Sequence, residues 1–187
     1  LTIHWLADRA RAADAYRAYA YFRWVDDVLD AETGSMPEKT SFINRQKSLL
    51  ETCYQGETPQ NVAAEEQILV DLVGSDHENH SGLQTYLRSM MEVMSFDVAR
   101  RGQVITQAEL TEYSHTLAVA ITEAIYYFIG HGTATPHQEA RYQAVTAAHI
   151  IHMLRDTYED TAAGYCNIPG EYLQAHHISA RDLESPA

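Results

Sequence analysis

No run of about 18 apolar residues occurs anywhere in the chain, so the sequence contains no candidate membrane-spanning helix. Cysteine is scarce: Cys53 and Cys166 are the only two, which argues against a disulfide-stapled scaffold. Basic residues are few as well. Thirteen Lys and Arg face twenty-six Asp and Glu, for a formal net charge of −13, which speaks against nucleic acid as a partner. The five prolines and nine glycines sit mostly at natural breaks, and β-type alternation of useful length is missing, as is any internal repeat. The opening L-T-I-H-W-L-A-D-R carries charge early and lacks a small-residue cleavage site, so it does not read as a signal peptide; a cytoplasmic protein, at most peripheral to a membrane, is expected.

What is present is helical periodicity, in a chain long enough for one domain with a substantial core. The spacing predicts a first helix over Ala7–Ala31, stopped by E-T-G-S-M-P, and a second over Glu38–Tyr54 that closes on Gly56. A third runs from Gln60 to Val73. Ser81-Gly82-Leu83-Gln84 and Thr106-Gln107-Ala108-Glu109 have capping-box spacing and open helices four and five, ending near Gly102 and at Gly130 or Gly132. Thr135-Pro136-His137-Gln138 opens a sixth, continuous to Gly164. An irregular piece, Tyr165–Gly170, follows, and Ser179 caps a last fragment. The expected fold is all-α, with at least six helices.

Two of these helices carry acids in the same style. On the sixth, stepping by a helical turn from Val145 places His149, His152, Asp156 and Asp160 on one stripe, flanked by Arg155 and Glu159. On the first, Asp26 and Asp30 share a face, about 6 Å apart along the axis, with Asp27 roughly 100° round. Arg23 lies one turn upstream. Like charges four apart oppose each other on a bare helix, so each set needs a cation or solvent. A solvated helix end accounts for one such set. Two sets, each with its own arginine, would make a carboxylate-lined mouth if they faced each other. Hard oxygen ligands of that kind suit Mg²⁺, with Mn²⁺ as a substitute, and guanidiniums pair with phosphate oxygens.

The segment Y-A-Y-F-R-W-V-D-D-V-L-D, Tyr19–Asp30, resembles the first aspartate motif of the squalene and phytoene synthase family, Y-x-x-x-R-x-x-D-D-x-x-D. H-M-L-R-D-T-Y-E-D-T-A-A-G, His152–Gly164, resembles its second, N-x-x-R-D-x-x-E-D-x-x-x-G. Between them, Phe96-Asp97 and the stretch Arg101–Tyr113 are similar to R-Y-x-T-x-x-E-L-x-x-Y. The resemblance implies a helical isoprenoid-synthase domain spanning residues 1–187, truncated at one or both ends, because members extend further on each side. It implies a Mg²⁺-dependent prenyltransferase that joins two prenyl diphosphates, farnesyl or geranylgeranyl, head to head through a cyclopropylcarbinyl diphosphate. Squalene- and phytoene-type products, the latter carotenoid precursors, are both open, as is the use of NADPH, and an apolar product implies contact with a membrane surface. By the same resemblance Asp26, Asp27, Asp30, Asp156, Glu159, Asp160 and His152 would hold metal, with Asp26 and Asp156 central to catalysis. Arg23 and Arg155 would hold diphosphate, and Tyr19 and Tyr113 would line the reaction centre, Tyr113 assisting proton removal.

The chain departs from the pattern in three places. His149 and His152 stand where Gln and Asn are usual. The small V-A-G-x-V-G region reads L-A-V-A-I-T, Leu117–Thr122, followed by Glu123, which narrows a place where glycines allow close approach. The later G-R-x-Y-L-P reads G-Y-C-N-I-P, Gly164–Pro169. Alternatives are a non-catalytic prenyl-diphosphate-binding or assembly protein on the same fold, and a terpene cyclase ionising one diphosphate. A di-iron bundle needs two Glu-x-x-His pairs, and only Glu112/His115 has that spacing.

Overall fold

The computed structural model describes residues 7–31, 33–130 and 138–183. Eight α-helices occur among them: α1 Ala12–Asp30, α2 Met36–Tyr54, α3 Ala64–Gly74, α4 Gly82–Arg100, α5 Gln107–Ile129, α6 Gln143–Arg155, α7 Thr157–Ala162 and α8 Gly170–Ala175. Short 3₁₀ turns cover Glu139–Tyr142 and Ala180–Leu183. Among the described residues there is no strand, only a single parallel bridge between Val104 and Cys166.

The helix starts follow their side chains. Ser35 donates to the Glu38 carboxylate, which also accepts the Ser35 backbone N–H at 2.7 Å, and Pro37 is tolerated in the first turn because its missing N–H would have been unpaired there. For that reason α2 begins two residues before the predicted Glu38. Ser81 Oγ accepts from Gln84 N, and Thr106 with Glu109 closes a full capping box, so α4 and α5 start where their spacing indicates. Three further expected bounds shift. Residues 7–11 form a turn rather than helix, with Asp8 N–H donating to Phe128 O at 2.8 Å. Asn61 takes a positive φ of 55°, which no helix interior admits, and α3 starts only at Ala64.

The third shift concerns the expected sixth helix. Its proposed cap, Thr135-Pro136-His137, lies outside the described residues, and the helix is not continuous to Gly164. Asp156 sits between α6 and α7 with φ −96° and ψ 12°. The hydroxyl of Thr157 donates to Met153 O and Leu154 O, both at 2.9 Å, and competition of this kind for helical carbonyls bends a helix.

α4 packs along α5, α2 against α4, α1 against α3, and α5 against α6. The core between them is apolar and closed: Tyr21, Val25, Ile43, Leu50, Leu72 and Leu87 are all but inaccessible. One polar chain crosses it. Tyr21 O–H donates to Gln46 Oε1 at 2.9 Å, Gln46 Nε2 donates to Glu66 at 2.8 Å, and Arg45 forks onto both Glu66 oxygens at 2.7 Å, joining α1, α2 and α3. The Arg45 bond, with further help from the Ala63 N–H and Gln46, lowers the Glu66 carboxyl to about 2. A depressed carboxyl contributes stability above its unfolded value and loses it as pH falls through the folded one. Chemical denaturation between pH 4.5 and pH 2 should therefore find a steady loss of stability that is absent from Glu66→Gln.

The connection after α7 runs beside the connection after α4. Gly102 N–H donates to Gly164 O at 2.8 Å and Gly170 N–H to Ile105 O at 2.9 Å, on either side of the Val104–Cys166 bridge. This pairing carries Tyr165 and Asn167 to the ends of α1, α4 and α6.

Candidate functional site

A cavity of about 280 Å³ opens where these elements meet. Asp26 and Asp30 come from α1, Asp97, Arg100 and Arg101 from the end of α4, and Tyr113 from α5. His149 and His152 come from α6, Asp156 and Asp160 from the α6–α7 corner, and Lys39 from α2. The two acid sets thus share one cavity, and the stripe His149, His152, Asp156, Asp160 faces it throughout.

Five carboxylates against three full cations leave a formal excess of two negative charges in the lining. The carboxyls register the crowding. Loss of water and the charge of Asp30 push Asp26 above the usual carboxylate range. Loss of water and the charge of Asp156 do the same to Asp160. Asp156 is held below that range by Arg155, whose guanidinium spans both its oxygens at 2.6 Å.

A hydrogen-bonded chain ties α7 to α5. Asn167 Nδ2 donates to Asp160 Oδ2 at 2.8 Å, and Arg100 Nη1 donates to Asn167 Oδ1 at 2.7 Å. Arg100 Nε then donates to Asp97 Oδ1 at 2.7 Å, and Tyr113 O–H donates to Asp97 Oδ2 at 3.1 Å. Arg100 is 7% exposed and lies 4.7 Å from the Tyr113 ring centroid, and the His149 ring centroid lies 5.4 Å from the same ring. Burial raises the Asp97 carboxyl and the Tyr113 phenol above their ordinary values, and lowers the His149 imidazole. His149 Nε2 is buried without a hydrogen-bond partner among the described residues.

Several expected site residues are not brought to the cavity. Tyr19 is 63% exposed and borders an apolar depression on another face, with Ala15, Tyr86 and Ile125. Two residues along, Tyr21 takes the inward position on α1. Arg23 lies outside the lining and pairs with Asp27 at 2.7 Å and Asp26 at 3.4 Å. Arg155, Asp27 and Glu159 are outside the lining too. Arg100, Asn167, Lys39 and Tyr165 had no role assigned from sequence. Arg100 carried a signal, since it lies one helical turn beyond Asp97. Asn167 and Tyr165 carried none, because their place depends on the pairing of two connections.

Helices on every side of a cavity lined by paired aspartates define an all-α domain of the isoprenoid-synthase type. Residues 1–187 match the family profile described as squalene/phytoene synthase, and the chain belongs to that family. No curated protein and no solved structure matches it. Family membership implies head-to-head condensation of prenyl diphosphates by a prenyltransferase-type enzyme. Among the described residues no helix is long and apolar enough to cross a membrane.

The motif resemblance implies a divalent cation, and the lining bears on whether one fits. Among the described residues, no three His, Cys, Asp or Glu side chains gather closely enough to enclose an ion unaided. Mg²⁺ does not require that: it takes one or two carboxylates, retains waters and bridges to substrate phosphates. Asp26 and Asp160, raised by loss of water and by the neighbouring charges of Asp30 and Asp156, are carboxyls that a cation would favour in their charged form. The donor set fits the ion.

Proposed function

We propose that the protein joins two molecules of farnesyl or geranylgeranyl diphosphate head to head in a Mg²⁺-dependent reaction, through a cyclopropylcarbinyl diphosphate. The observation that carries this reading is the convergence of Asp26, Asp30, Asp156 and Asp160 with Tyr113 on one cavity. Asp26 and Asp30 would hold Mg²⁺ from one side and Asp156 and Asp160 from the other, with exposed His152 beside them. Bound Mg²⁺ would offset the charge that builds on the departing diphosphate.

The remaining work falls to the chain itself. The Arg100–Asp97 pair fixes the Tyr113 hydroxyl, so the phenol is presented in one orientation. Burial and the charge of Asp97 raise its pKa and keep it protonated, and it holds its proton towards Asp97 rather than releasing it to solvent. Attack of one substrate's double bond on the other's allylic carbon breaks a C–O bond to diphosphate. The proton then lost from the new ring passes to the diphosphate oxygen, with the phenol as a hydrogen-bonding neighbour. Arg23 and Arg155 stand at the rim, and each would have to leave its aspartate to meet a phosphate. Tyr19, exposed on another face, takes no part in these steps.

Incubation of the protein with farnesyl diphosphate should release inorganic diphosphate when Mg²⁺ is present and not when it is chelated. Binding without release would favour the non-catalytic alternative and sink the enzymatic one. Mass spectra of the products, with and without NADPH, would separate a cyclopropyl end point from a rearranged hydrocarbon.

A further inference from the structure

We propose that Arg101 is the guanidinium that first receives substrate diphosphate in this protein, an inference that rests on the diphosphate chemistry proposed above. The other cations near the cavity are committed. Arg23 is on Asp27 and Asp26, Arg155 is on both oxygens of Asp156, and Arg100 is buried between Asp97 and Asn167. The Lys39 ammonium donates to the backbone carbonyls of Leu29 and Ala31 at the end of α1. Arg101 lines the same cavity and, among the described residues, has no carboxylate on it.

Its position is built rather than incidental. Arg101 ends α4 in an extended conformation, φ −58° and ψ 125°, and Gly102 then turns at φ +76°. Gly164, at φ +96°, abuts the Arg101 stem: a Cβ there would lie 3.4 Å from Arg101 Cγ and 3.5 Å from Gly102 N. The bond from Gly102 N–H to Gly164 O locks the two turns together. Beyond the stem, the guanidinium carbon lies 5.8 Å from the Tyr165 ring centroid. A ring at that distance takes up none of the guanidinium's N–H groups, and that planar fork matches two phosphate oxygens. Tyr165 occupies the position at which the resembled motif carries arginine, so in this chain the charge arrives from the end of α4 instead. In a lining with excess negative charge, an uncommitted guanidinium is the group with the most to gain from an incoming anion.

The test is titration calorimetry of the full chain with inorganic diphosphate in Mg²⁺. Arg101→Gln should weaken binding by about 10- to 100-fold, the range of a lost charge-assisted hydrogen-bond pair. Arg101→Lys, which keeps the charge but not the fork, should fall between. Arg88→Gln, which removes a distant surface pair with Glu51, should bind as wild type does. Wild-type binding with an unaltered constant in Arg101→Gln would overturn the assignment and leave the diphosphate reading intact. Failure of the wild type to bind Mg²⁺-diphosphate would overturn both.

Discussion

Asp156→Asn should lower Mg²⁺-dependent diphosphate release by at least about 100-fold, as expected when a side chain that holds the leaving-group cation is neutralised. The substitution keeps the size of the side chain and removes one charge. Its cost to folding should be small, because the Arg155–Asp156 pair is solvent-exposed and such pairs contribute little. Asp160, pushed up in part by the charge of Asp156, gains from the change. Turnover and folding should therefore separate: a large loss in the diphosphate assay, and a melting temperature that is unchanged or slightly higher. Turnover within about threefold of wild type would take Asp156 out of the site.

Glu123→Ala should cost about 3 kcal/mol of stability, as the removal of one partner from a buried ion pair usually does. The Glu123 and Arg141 side chains are 5% and 7% exposed and bonded to each other, and Tyr142 O–H donates to the same Glu123 oxygen at 2.9 Å. Arg141 also lies over the Tyr126 ring, 4.7 Å from its centroid. This cluster fastens the 3₁₀ turn Glu139–Tyr142, which leads into α6, onto α5. Urea denaturation measures the loss directly, and Glu123→Gln, which retains an acceptor for Tyr142, should lose less. A change below about 1 kcal/mol in Glu123→Ala would mean that the pair does not fasten the turn.

The same residue illustrates what sequence pattern conveys and what it does not. Replacing a glycine-bearing region by Leu117–Thr122 and Glu123 suggests a narrowed passage. In the fold, close approach is met from the other helix. A Cβ on Gly82 of α4 would come within 3.1 Å of Glu123 O and 3.2 Å of Tyr127 Cβ. Glu123 itself reaches forward to Arg141, eighteen residues on. The paired aspartates were legible because an i, i+4 spacing on one helix survives into any fold that keeps the helix. So were the capped starts of α4 and α5, which depend on four consecutive residues each. The chain from Asp160 through Asn167 and Arg100 to Tyr113 was not legible, since it requires segments more than sixty residues apart to lie side by side. Tyr19 shows the opposite limit: motif resemblance assigns a role by position, whereas exposure depends on which face of α1 meets α3. The bend at Asp156 lies between these cases, since Thr157 announces a competing hydrogen bond without saying whether it is made.

The end of α1 carries a wider consequence. Asp26, Asp27 and Asp30 crowd its final turns, where the helix dipole already presents its negative pole, and no basic residue of the last turn offsets them. The Lys39 ammonium, from the next helix, covers two of the carbonyls there. Anyone improving the heat tolerance of this protein by surface-charge optimisation would choose these three positions early, and at Asp26 and Asp30 would trade away acids that line the cavity. Thermal robustness and the proposed metal binding would then compete at Asp26 and Asp30, and selection for one alone would be visible as basic substitutions at the other's expense.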